Sequence, residues 1–428
     1  MHTNLPATKI DNTMSILFHI VQKGLNLFLP AILIVIIIGM GATPSLASQI
    51  IKDDDPGSRT STYLDDSRDG YLSGWKVIVT NANPVETLES GRWFEAPPVP
   101  RPFATGTIKR FSKDIRTRLR DNSTDSLLVV KNGAIVGQYF RYGFAIDDIH
   151  LIHSAGKCFT SFAIQPVYDR IGKKGLNRPL SEYLPQLKGK FFGMATLAQA
   201  LDMKVGMEWT ENYEDPTSAT MVSGIVGGWD PLDPKKVPES WYERMFDYPK
   251  YGEHGKTWVY SSASVIAAAY AGAAIDGRHY SELVQESYNF LGFEDRSWYV
   301  SNAFNELSAE GGQAMTIRDF TKLGRFMLET KYSNYVNDVW KTKGNKKDPA
   351  DAVFLKKYGQ LLGAIGYKNY WYKISDDVIM AVGSSGQFMY VDRKKNLIIS
   401  KYSSFMQGQG AEEFAAAIKV INDIAGMY

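Results

Sequence analysis

Strand-forming sequence stands near both ends of the body of this 428-residue chain, with helix-forming sequence between. At the front, apolar stretches spanning 126–131 and 134–140 flank Asn132-Gly133, the strongest short hairpin signal. At the back, runs at 377–383 and 387–392 flank Ser384-Ser385-Gly386, and a third run follows at 396–402. Between them the pattern predicts helices at 154–171, stopped by Gly172, and at 194–203, 261–275 and 316–329. A final amphipathic helix is expected at 411–425. Strands at both sequence ends must pair with each other to bury their faces. The expected fold is α+β: one antiparallel sheet built from both chain ends and flanked by helices, with an inserted, mainly helical subdomain. The body is placed at 76–428, its sheet part at about 76–175 and 355–428, its helical part at about 176–354. The proline-rich stretch 76–105 reads as an extended strap.

Ahead of the body lies a segment read as a targeting signal. Residues 27–40 are apolar apart from Pro30 and Gly39, follow Lys23, and lead to Ser45-Leu46-Ala47, a small-x-small cleavage pattern. The run falls short of the roughly 18 residues of a spanning helix. The expectation is a signal peptide at 1–47, cleaved after Ala47, and export to a bacterial periplasm; an uncleaved inner-membrane anchor is the alternative. Residues 48–75, polar and rich in Asp, Ser and Gly, read as a flexible lead. A net charge of +2 argues against a nucleic-acid partner. Cys158 is the one cysteine, which excludes an intrachain disulfide and a cysteine-rich metal site, and it reads as a small buried apolar residue.

The chemistry is carried by Ser154-Ala155-Gly156-Lys157. Positions i and i+3 share a helix face. A serine hydroxyl needs a base to become a nucleophile, and a lysine serves only if its pKa, about 10.4 when free, is lowered. Packing the lysine stem among Phe159, Phe162 and other apolar groups would do this. A second match, Ser73-Gly74-Trp75-Lys76, sits in a polar, Gly-rich stretch with no apolar helix behind it and reads as chance. Two further segments complete a site. Tyr260, in Val259-Tyr260-Ser261-Ser262, could relay a proton to a leaving group. The turn Gly383-Ser384-Ser385-Gly386-Gln387 has residues small enough for a backbone N–H to approach a substrate carbonyl, completing an oxyanion hole with the N–H of Ser154. No G-x-S-x-G elbow is present. His150-x-x-His153 lacks a third metal ligand, and Gly252-Glu253-His254-Gly255-Lys256-Thr257 has Lys250 where a phosphate-binding loop needs glycine.

In this order the three segments resemble the penicilloyl-serine-transferase superfamily, in the branch of class C β-lactamases, family VIII carboxylesterases and aminohexanoate-dimer hydrolases. The stretch 201–216, which ends Tyr213-Glu214-Asp215-Pro216, and the Gly383–Gln387 turn are similar to the last group. The resemblance implies a β-lactamase/DD-peptidase-like fold and a serine hydrolase cleaving an amide or ester. It implies Ser154 as nucleophile, Lys157 as base and Tyr260 as relay. Tyr213 would contact the substrate amide, and Ser384, Ser385 and Gly386 would shape the oxyanion site. No metal or organic cofactor is implied, and the partner is a small or short peptide-like substrate. Two departures stand out. Ser262 replaces the Asn of Y-x-N, and Gly383-Ser384-Ser385 stands where other members carry K-T-G. The missing lysine argues against a competent β-lactamase. A D-Ala-peptidase or β-lactamase, and a binding protein without turnover, remain the alternatives.

Overall fold

The computed structural model describes residues 91–141, 143–212, 215, 217–229, 240–244, 248–405 and 410–428. The expected targeting segment, the lead and Tyr213 lie outside them. Among the described residues no helix is long and apolar enough to cross a membrane.

The strands are β1 (Gly91–Phe94), β2 (Ala104–Thr105), β3 (Thr124–Lys131), β4 (Ala134–Phe140), β5 (Ile149–Leu151), β6 (Ser297–Val300), β7 (Gln313–Thr316), β8 (Gly366–Lys368), β9 (Trp371–Ser375), β10 (Val378–Gly383), β11 (Gln387–Asp392) and β12 (Leu397–Ser403). The main sheet is eight-stranded, in the order β2-β4-β3-β12-β11-β10-β9-β8. Its seam between chain ends is β3 against β12, antiparallel, with Leu128 opposite Ser400 and Val130 opposite Ile398. The hairpin forms as the sequence predicts, with Asn132 and Gly133 at φ 51° and 76°, the left-handed pair a tight turn demands. Among these strands all pairings are antiparallel except that of the short edge strand β2, which runs parallel to β4.

The helices are α1 (Lys113–Asp121), α2 (Gly156–Ala163), α3 (Gln165–Leu176), α4 (Leu180–Tyr183), α5 (Leu197–Leu201), α6 (Ala219–Val226), α7 (Trp241–Arg244), α8 (Ser262–Asp276), α9 (Tyr280–Leu291), α10 (Ile317–Glu329), α11 (Asn334–Lys341), α12 (Pro349–Leu362) and α13 (Ala411–Gly426). Helix α10 lies across β3, β11 and β12, and α13 covers β12 and α1. Helix α2 is buried along its whole length and packs against α8 and α9. It is the central rod between the sheet and the helical layer.

Three sequence expectations need correction. The helix expected over 154–171 is broken. A 3₁₀ turn at His153–Ala155 leads into α2, and the path breaks at Ile164 before α3. Pro166 sits in the first turn of α3, where its missing N–H costs nothing; within one continuous helix it would remove a hydrogen bond and clash. Gly172 does stop the helical path as expected: its φ of 56° is non-helical and separates two helical pieces within α3. The helix expected at 194–203 shrinks to α5, started by a Thr196–Gln199 capping box. The strap is in part strand, since β1 joins a second sheet that the sequence patterns do not reveal.

That second sheet is four-stranded, ordered β1-β6-β7-β5. Its strands are short, and β6 and β7 arise inside the stretch read as helical. Trp298, Val300, Leu151 and Ala314 form its apolar centre, with Trp229 packed on them. Strand β5 ends at Leu151, just ahead of Ser154, so this sheet sets where the Ser154 turn begins.

Candidate active site

The site is built where the His153–Ala155 turn meets the end of β10 and the Ser384–Gly386 turn. His153 takes φ 45°, a costly conformation for a non-glycine residue. It holds that shape against Trp229, whose ring stacks on the imidazole at 5.8 Å. Gly311 also presses on it: a Cβ there would lie 2.8 Å from the His153 carbonyl carbon. The kink presents Ser154 at the mouth of α2 while Lys157, one turn on, points back.

Lys157 donates from Nζ to Ser154 Oγ at 2.8 Å and to the Glu310 carbonyl at 2.7 Å. The residue is 2% exposed. Burial pulls its ammonium below the ordinary lysine value, and the negative charges of Glu211 and then Glu310 pull back. The amine also lies 5.0 Å over the Tyr260 ring. Burial, with the charge of Glu211, raises the Tyr260 hydroxyl, while a hydrogen bond with Ser154 acts against the rise. The tyrosine therefore holds its proton at neutral pH.

The turn of small residues closes the site. Gly383 packs so tightly that a Cβ would lie 2.5 Å from the Ile152 oxygen and 2.9 Å from the Ala155 nitrogen. Ser385 and Gly386 both lie in the left-handed region, at φ 56° and 89°. A cleft of about 540 Å³, part of it open to solvent, is lined by Ser154, Lys157, Ser262, Ser384, Trp229 and Glu310, among others. Of the residues expected from sequence, Ser154, Lys157, Tyr260 and Ser384 are thus gathered in one place. Ser385 and Gly386 are buried behind Ser384. Tyr213 lies outside the described residues.

Three residues at the site were not singled out as site members. Glu310 is 8% exposed; its Oε1 accepts from Trp229 Nε1 at 2.9 Å and Ser308 Oγ at 2.5 Å, and burial raises its carboxyl. Glu211 acts on both Lys157 and Tyr260 through its charge. His153, considered only as a metal ligand, is instead a buried wall, held neutral because burial pushes its pKa down to about 3. His150 faces elsewhere, its Nε2 3.0 Å from Asp125 Oδ2. No local pattern marks Glu310, since its neighbourhood reads as an ordinary glycine-rich turn. Cys158 is buried, its thiol 3.4 Å from the Tyr370 carbonyl and pushed up by burial. Among the described residues no cluster of His, Cys, Asp and Glu could hold a metal ion.

A hydroxyl, a desolvated amine hydrogen-bonded to it, a protonated phenol and a tight backbone turn together form an arrangement suited to acyl transfer. The Beta-lactamase family profile matches residues 112–422. The chain belongs to the beta-lactamase family. Within that family it is similar to the 6-aminohexanoate-dimer hydrolase of Paenarthrobacter ureafaciens, at 26% identity over 309 residues covering 68% of this chain and 75% of the relative. Among solved structures, the "Putative 6-aminohexanoate-dimer hydrolase from Bacillus anthracis" superposes with a TM-score of 0.70 at 21% identity, covering 84% of this chain and 96% of the other. A beta-lactamase/D-alanine carboxypeptidase from Yersinia pestis superposes with a TM-score of 0.54 at 14% identity, covering 72% and 95%. These likenesses share the β-lactamase/DD-peptidase-like fold expected from the sequence, and the beta-lactamase family member described here is a serine hydrolase.

Proposed function

We propose that this enzyme hydrolyses a carboxylic amide, or the corresponding ester, through an acyl-enzyme on Ser154. The observation that carries the reading is the 2.8 Å contact between the buried Lys157 amine and the Ser154 hydroxyl. Neutral Lys157 accepts the Ser154 proton as Oγ bonds to the substrate carbonyl carbon. The oxyanion is held by backbone N–H groups of Ser154 and of the Ser384–Gly386 turn. The carbon–nitrogen or carbon–oxygen bond then breaks, Tyr260 passes a proton to the departing amine or alcohol, and the proton on Lys157 replaces it. Water adds to the ester and releases the acid, with Lys157 and Tyr260 returned to their starting states.

The name of the Paenarthrobacter relative supports an amide substrate. The cleft itself disfavours substrates that carry a carboxylate beside the scissile bond, such as β-lactams. Among its described lining residues Lys157 is the one Lys or Arg. The N-terminal segment is taken to export the enzyme, and the mass of the mature protein recovered from its native cells tests that.

The mechanism is tested by intact-mass spectrometry after exposure to a fluorophosphonate. The native protein should gain one adduct, and Ser154→Ala should gain none. Lys157→Met should label at least about 100-fold more slowly, the scale of a lost general base. Equal labelling of all three would sink the reading.

A further inference from the structure

The Ser384–Gly386 turn has to hold a strained shape, because Ser385 sits at φ 56° without glycine's freedom. Its own side chain does not hold it: Ser385 Oγ is buried and makes no hydrogen bond. The turn is held from outside, at two carbonyls. The Ser385 oxygen accepts from the Phe405 N–H at 3.1 Å. The Ser384 oxygen accepts from Gln387 Nε2 at 3.2 Å. The same nitrogen donates to the Ser403 carbonyl at 2.7 Å, and Gln387 Oε1 accepts from the Ser403 N–H at 3.3 Å. Gln387 is fully buried. Its carboxamide therefore ties the first carbonyl of the turn to the end of β12.

The link to chemistry is the planarity of the peptide. In a trans peptide the C=O and the next N–H point in opposite directions. Pinning the Ser384 carbonyl to Gln387 and the end of β12 thus fixes the direction of the Ser385 N–H, one residue on from Ser384, which lines the cleft beside Ser154. Gly383 abuts Ile152 and Ala155 at the same point, so the two turns cannot slide past each other. We propose that Gln387 is a positioning residue: through the Ser384 carbonyl its carboxamide fixes the direction of the Ser385 N–H that stabilises the oxyanion formed at Ser154. This rests on the acyl-enzyme reading given above, and no substrate contact by Gln387 is involved.

The test compares acylation by p-nitrophenyl acetate with acylation by its thiono analogue, each read as the first turnover of p-nitrophenol release. Sulfur is a poorer acceptor than oxygen, so a well-aimed N–H gives a high oxo-to-thiono rate ratio. Gln387→Met removes the donors at similar length, and Gln387→Glu removes the NH₂ while keeping an oxygen for Ser403; thermal melting shows which of them is folded. In a folded variant, oxo-ester acylation should fall roughly 10- to 100-fold with KM little changed, and the oxo-to-thiono ratio should fall with it. A loss of rate that leaves the ratio as in the native enzyme, or no loss at all, overturns the proposal. Failure of the acyl-enzyme reading looks different: native enzyme and Ser154→Ala would then release p-nitrophenol alike.

Discussion

At the residue scale, the proposed mechanism turns on how one buried lysine is kept able to accept a proton. Desolvation lowers the Lys157 pKa, and Glu211 is the largest charge resisting that fall. Removing that charge must lower the pKa further. Activity should fail on the acidic side as Lys157 becomes protonated, so Glu211→Gln should move the acidic limb of kcat/KM to lower pH. A limb that stays in place or moves up would show that Glu211 does not set the charge state of the base. The Ser154–Lys157 pair was legible in sequence because three residues' spacing fixes a shared helical face. Glu211 and Glu310 were not, because their influence comes through space from loops distant in the chain.

At the element scale, the site depends on the fit between the Ser154 turn and the end of β10. Glycine at 383 is what allows it. Gly383→Ala would drive a methyl into the Ile152 oxygen and Ala155 nitrogen, both backbone atoms with little room to yield. The expected cost is about 1–3 kcal/mol of stability, typical of overpacking. The expected loss of turnover is larger, about 100-fold, because a shift on the order of 1 Å misplaces the reacting groups. Denaturant melts and single-turnover kinetics measure the two, and a variant with native turnover would refute the close-fit argument. Strands β3, β4, β10, β11 and β12 were readable because alternation and turn residues are local signals. The four-stranded sheet was not, since its strands have three or four residues each and pair only after the chain has folded back.

At the scale of the whole molecule, a buried polar group joins the two sheets beneath the site. Asp125, fully buried on β3, meets Arg141 at 2.5 Å, His150 at 3.0 Å and Ser404 at 2.6 Å. His150 leads into the Ser154 turn and Ser404 into the segment that holds the Ser384–Gly386 turn. Close by, Lys401 is fully buried on β12, bonded to Ser403 and flanked by the Phe405 ring at 5.0 Å. Burial lowers its pKa to about 7, with Asp125 acting against the fall. The unfolded chain, with a lysine pKa near 10.4, binds the extra proton between these values. The Lys401 contribution is therefore most favourable above about pH 10 and is lost as pH falls through about 7, with a steepest slope of about 1.4 kcal/mol per pH unit. Lys401→Met should be more stable than the native protein near pH 7, the gain shrinking toward pH 10; a pH-independent difference would contradict it. Reading along the chain was enough for the local elements, the paired serine and lysine, and the family, because periodicity, turn chemistry and short spacings act between neighbours. The break before Pro166, the second sheet, the carboxylates around Lys157 and the grip of Gln387 on the turn emerge only once the chain is folded. Each of these depends on which distant residues share a desolvated space, and no spacing along the chain encodes that.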